Sequence, residues 1–76
     1  NGWSLSSFAA LVARLLGRPA GLSALSRDEL DALRAFHARH DRLHESLVRT
    51  AVAQAEALTI PHVLWQLQSL LSPGDS

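Results

Sequence analysis

His37, His40 and His44 are spaced three and four residues apart, the interval at which side chains on successive helical turns become neighbours. Imidazoles placed in this way have two kinds of chemistry open to them. They can converge on zinc, copper or a haem iron, or they can titrate near physiological pH and charge the surface they share. His40 and His44 make the best ligand pair. A third and fourth ligand would have to come from His37, two turns from His44, and from His62, which faces away from the main apolar stripe. Carboxylates add little, because Asp41 lies at the edge of the stripe and Glu29 is used in capping. Asp41-Arg42-Leu43-His44 echoes only once the Glu-x-x-His pattern that two-metal bundles repeat on several helices. The spacing therefore favours neutral, partly buried imidazoles bonded to backbone, or to Gln54 or Thr50 of a facing element. The alternative is a small histidine-ligated metal- or haem-binding bundle. Between the two lies a pH-sensitive association, in which protonation below about pH 6.5 charges the seam and parts its partners. On this reading no metal ligand and no cofactor is expected.

The segment that must position these rings, residues 27–58, contains no glycine and no proline. At about 100° per residue, Leu30, Leu33, Phe36, Leu43, Leu47, Val48 and Leu58 gather with the histidines within an arc of roughly 140°. Arg27, Asp31, Arg34, Arg42, Glu45, Arg49 and Glu56 lie opposite. A straight helix of this length would span roughly 48 Å, against a radius of gyration of about 11 Å for a compact domain of this size. Either the segment breaks between Arg39 and His44 and a four-helix monomer results, or it stays straight and a second molecule covers its seam. The absence of a kinking residue tilts the sequence toward the straight, paired form.

Shorter helices flank it. Ser4 caps a helix whose Leu5, Phe8, Leu11, Val12, Leu15 and Leu16 share a face, and Gly17 and Pro19 stop it. Residues 22–25 form one loose turn. Ser26-Arg27-Asp28-Glu29 fits a capping box, with Leu25 and Leu30 in the positions of a hydrophobic staple. Thr59-Ile60-Pro61 opens a last helix that runs to about Leu71, with Ile60, Val63, Leu64, Leu67, Leu70 and Leu71 on its apolar side. Nothing alternates with period two for long enough to make a strand. The fold class is all-α, a small bundle of three or four helices around a long central helical segment, open to completion by dimerisation.

The chain of 76 residues reads as a single helical domain with fraying ends at 1–3 and 72–76, and its start at Asn1 suggests a piece excised from a larger protein. Without cysteine, neither a disulfide nor a thiolate metal site can staple so small a core. Seven arginines balance seven carboxylates, which argues against the basic footprint of nucleic-acid or anionic-membrane binding. No apolar run reaches the roughly 18 residues of a membrane span, and a cytoplasmic location is expected. The serines at 4, 6, 7, 23 and 26 suit caps and turns. With no nucleophile elbow, phosphate loop or paired carboxylates, no enzyme activity and no small-molecule substrate are expected.

The outer helices are unusually poor in charge. The last one, from Pro61 to Leu71, has no ionised side chain, and the first has only Arg14. Their backs, Ser6, Ser7, Ala9, Ala10 and Ala13 in one and His62, Trp65, Gln66 and Ser69 in the other, make poor water-facing surfaces. The expectation is a non-catalytic module for docking, scaffolding or oligomerisation, whose partner is another protein or a second copy of itself. Trp3, His37, His40, His44, His62, Trp65 and Gln66 are its candidate interface residues. Trp65 alternatively folds over the domain's own core edge against Trp3. Leu67-Gln68-Ser69-Leu70-Leu71 fits a coactivator-docking pattern, but its leucines share the core-facing side and read as buried.

Between Leu22 and Leu71, the spacing of Leu30, Leu33, Phe36-His37 and Leu47-Val48 resembles the harmonin-homology domains, small helical bundles of scaffold proteins that bind helical peptides. Ala51-Val52 and Ala55 depart from it, where that family tends to place bulkier aliphatics. The alanine and arginine bias is similar to that of helical docking segments at the ends of bacterial polyketide and nonribosomal peptide synthase subunits. Neither resemblance rests on a diagnostic motif, and no residue role is carried over from either.

Overall fold

The computed structural model describes residues 3–19 and 21–72. Four helices form, α1 (Leu5–Leu15), α2 (Arg27–Arg39), α3 (Glu45–Gln54) and α4 (Ile60–Leu71), with a short 3-10 turn at Gly21–Ala24 between the first two. Among the described residues there is no strand. The fold is a small all-α bundle.

The ends of α1 and the start of α2 follow directly from local sequence. Ser4 Oγ accepts from the Ser7 amide at 3.1 Å, supplying a partner for one of the free donors of the first turn. At the other end Gly17 takes φ +83°, a left-handed conformation that favours glycine. The Gly17 amide then donates to the Arg14 carbonyl and the Arg18 amide to the Ala13 carbonyl, the paired bonds of a Schellman ending. At α2 the Ser26 hydroxyl accepts from the Glu29 amide at 3.1 Å while the Glu29 carboxylate accepts from the Ser26 amide at 2.9 Å. Both halves of the capping box form.

Residues 27–58 are not one rod. The segment breaks between Arg39 and Glu45, the alternative in which a compact monomer forms, and its helical course ends at Gln54, short of Leu58. His40 is extended (φ −131°, ψ 118°), and His44 becomes the N-cap of α3. Neither glycine nor proline causes the break. Its cause is burial: Leu43 is 5% exposed, and with Val48 it occupies the two staple positions that flank the His44 cap, both within the core. A continuous helix would have drawn α3 away from α1, whereas the break lets it fold back against both α1 and α4. The radius of gyration is 11.5 Å and the longest dimension 37 Å, so a straight 48 Å rod is excluded.

The core is made by Phe8, Leu11 and Val12 of α1, Leu33 and Phe36 of α2, Leu43, Val48 and Ala51 of α3 and its approach, and Ile60, Val63 and Leu67 of α4. Ala9 and Ala13 of α1 are fully buried as well. The α1 back is thus covered by the domain itself at those two alanines and open at Ser6 and Ser7; α1 packs on α2, α3 and the 3-10 turn. Leu67 is buried and Leu70 and Leu71 pack at the core edge, which places the leucines of the docking-like pattern inside the fold.

Candidate partner-binding face

The break at residues 40–44 scatters the histidines. His37 is half-buried on α2, its ring stacked on Phe8 with centroids 6.0 Å apart. Its Nε2 is hydrogen-bonded to the Trp3 carbonyl, and since a carbonyl can only accept, the ring nitrogen carries the proton. Trp3 in turn lies 5.9 Å from Phe8. The expected fraying of the start does not include this residue, which is anchored at its ring and its carbonyl, while residues 1–2 and 73–76 lie outside the described residues. His40 packs 4.4 Å from the Phe36 ring. His44 is exposed, and its Nδ1 accepts from the Leu47 amide at 3.3 Å, a single capping bond. Each ring therefore makes its own local contacts, and the continuous three-ring stripe expected of them is interrupted between α2 and α3. Neither Gln54 nor Thr50 is their partner: Gln54 bonds Gln66, and the Thr50 hydroxyl donates to the Ser46 carbonyl.

Trp3, His37 and His40, with Asp41 and Leu43, border a hollow of about 80 Å³, well below the roughly 300 Å³ at which ligand pockets begin. Among the described residues no three histidine, cysteine, aspartate or glutamate side chains are grouped to hold a metal ion. The bond from His37 to the Trp3 carbonyl fastens the N-terminal stretch to α2.

His62, Trp65 and Gln66 come together on α4. Val63 and Leu67 face the core, and Trp65, two positions beyond Val63 and so about 200° around the helix, faces outward with 69% of its surface exposed. It does not meet Trp3. Beside it runs a groove of about 490 Å³, walled by Pro61, His62, Trp65 and Gln66 of α4 and by Gln54 and Glu56 from the end of α3 and its following loop. The Gln66 amide donates to the Gln54 side-chain oxygen at 2.9 Å and ties the two walls. Leu58, in the same loop, is 58% exposed. No aspartate, glutamate, lysine or arginine lies on α4. The outer positions of α2 and α3 are supplied with Asp31, Arg34, Glu45 and Arg49 in i,i+3 and i,i+4 pairs.

Sequence reasoning missed Gln54, Glu56 and Pro61 as parts of the groove, because it carried the central helix through to Leu58. Had the helix been ended at Gln54, the loop holding Glu56 would have been placed beside α4. It also missed Arg18 as the partner of Glu29. The guanidinium holds both carboxylate oxygens, one bond being 2.8 Å, and donates to the Ala24 carbonyl as well. That hydrogen-bonded pairing, reinforced by the Ser26 amide, lowers the Glu29 carboxyl from 4.5 to about 2.

No helix of the described residues is long and apolar enough to cross a membrane. No family model, no curated protein and no solved structure matches the chain.

Proposed function

We propose that this chain is a non-catalytic protein-protein interaction module whose contact surface is the outer face of α4 and its adjoining groove. The observation that carries the reading is Trp65, 69% exposed at the middle of a helix without aspartate, glutamate, lysine or arginine. A tryptophan presents roughly 150–250 Å², so covering the exposed part recovers about 3 kcal/mol at ~25 cal/mol per Å², before the cost of association is subtracted. Exposed aromatic anchors beside a groove with a few polar groups are the usual core of an interface. Trp3, His37 and His40 are half-buried and His44 caps α3, and this reading does not include them in the surface. A histidine-ligated metal carrier would need three or four donors grouped together, and among the described residues no three histidine, cysteine, aspartate or glutamate side chains are so grouped.

A photo-reactive residue at position 65 tests the proposal when compared with the same group at position 35, exposed on α2. The expected outcome, in extract of the source cells, is a discrete adduct at 65 that excess unlabelled chain competes away, with none at 35. Equal labelling at both positions, or no adduct at 65, would overturn it.

A further inference from the structure

Resting on that reading of α4, we infer that the groove beside Trp65 receives an arginine side chain of the partner polypeptide, the guanidinium stacking on the indole and bonding the Glu56 carboxylate. Trp65 and Glu56 line the same groove, and no arginine or lysine stands in its walls. Indole is the best of the aromatic faces for a cation. Glu29, Asp31 and Glu45 each have an arginine of this chain, at Arg18, Arg34 and Arg49, whereas among the described residues Glu56 has no ion-pair partner. Its counter-charge is left to an outside group.

Charge decides between occupants. The carboxyl end of α3 and the amino end of α4 both reach the groove, through Gln54 and Pro61, and their partial charges oppose each other. Glu56 therefore sets the sign. A leucine or phenylalanine closing over the groove would strip water from that carboxylate without a counter-charge, and an acidic side chain would repel it. Arginine suits these walls better than lysine, because a planar guanidinium stacks on an indole through its face while its edge donates to a carboxylate. The Gln66 amide nitrogen is engaged by Gln54, which leaves the Gln66 side-chain oxygen as a further acceptor. At about 490 Å³ the groove is above the roughly 300 Å³ at which ligand pockets begin.

An NMR titration of the isotope-labelled whole chain, read at the Trp65 indole, tests this with three capped alanine peptides whose central residue is arginine, its uncharged analogue citrulline, or glutamate. The arginine peptide should bind saturably and about fivefold more tightly than the citrulline one, the preference that an exposed cation, indole and carboxylate together supply. The glutamate peptide should bind weakest. Glu56→Gln should bring the arginine peptide down to the citrulline affinity, and Trp65→Ala should remove the binding of both. Because both positions are exposed, neither change should alter the helical spectrum. Equal affinities for arginine and citrulline, an arginine preference that survives Glu56→Gln, or no binding of any peptide would overturn the inference. If no peptide binds while the photo-reactive group at 65 still captures a polypeptide, the arginine pocket fails and the partner-face reading stands. No binding and no capture overturn both.

Discussion

Glu29 uses one carboxylate for two purposes, closing the cap of α2 through the Ser26 amide and clamping Arg18 across the preceding turn. The cap was legible in the sequence because its partners lie three residues apart; the clamp was not, because Arg18 is eleven residues away and reaches Glu29 only after the Gly17 turn reverses the chain. Its consequence is a pH dependence of known sign. The folded chain holds the carboxyl at about 2 against 4.5 when unpaired, so between those values the unfolded state binds more protons and stability falls as pH falls. The contribution is complete above about pH 4.5 and gone below about 2. Glu29→Gln should therefore melt earlier than the native chain at pH 7 and with most of that gap closed at pH 2, as followed by circular dichroism. A gap of the same size at both pH values would mean that the ion pair is not its source. At this scale the tryptophans also part company. Trp3 stands near the start of the chain and Trp65 at the middle of α4, yet Trp3 packs on Phe8 while Trp65 is 69% exposed, a distinction that depends on the fold and not on their neighbours in sequence.

Helix boundaries were readable wherever a side chain of the usual capping type supplies them, as at Ser4, Gly17 and Ser26. The boundary at His44 was hidden because histidine is not among the preferred caps and because residues 37, 40 and 44 fit a continuous helical stripe. The signals present were Leu43 and Val48 in the staple positions and Glu45 at the first position of the new helix, where an acid suits the helix dipole. Periodicity favoured continuity, and tertiary burial of Leu43 outweighed it. The cap bond from the Leu47 amide is long, at 3.3 Å, so its worth lies at the low end of measured caps. His44→Ala should cost about 0.5–1 kcal/mol, and His44→Asp should gain a similar amount from a stronger acceptor and a favourable charge at the helix start. His44→Leu, harmless or stabilising on the straight-rod view, should behave like alanine. Urea denaturation of the three variants decides between these views: a gain in stability for leucine would mean that the cap contributes nothing.

At the scale of the molecule, breaking the central segment changes what is left to be covered. A straight rod would have needed a second chain to bury its histidine seam, while the broken one closes its own core around Phe8, Leu33, Val48, Val63 and Leu67. The all-α class and the weak charge of the outer helices were both visible in composition, but composition could not tell which uncharged face the fold would hide. The structure covers Ala9 and Ala13 of α1 and leaves His62, Trp65 and Ser69 of α4 open. We therefore propose that contact with another protein occurs at α4 and not along the histidines. The most direct measurement is the amide NMR spectrum of the labelled chain followed as unlabelled cell extract is added. Shifts or line broadening confined to residues 54–69 and the Trp65 indole are expected. Changes centred on residues 37–44, or a spectrum that the extract leaves as it was, would contradict this.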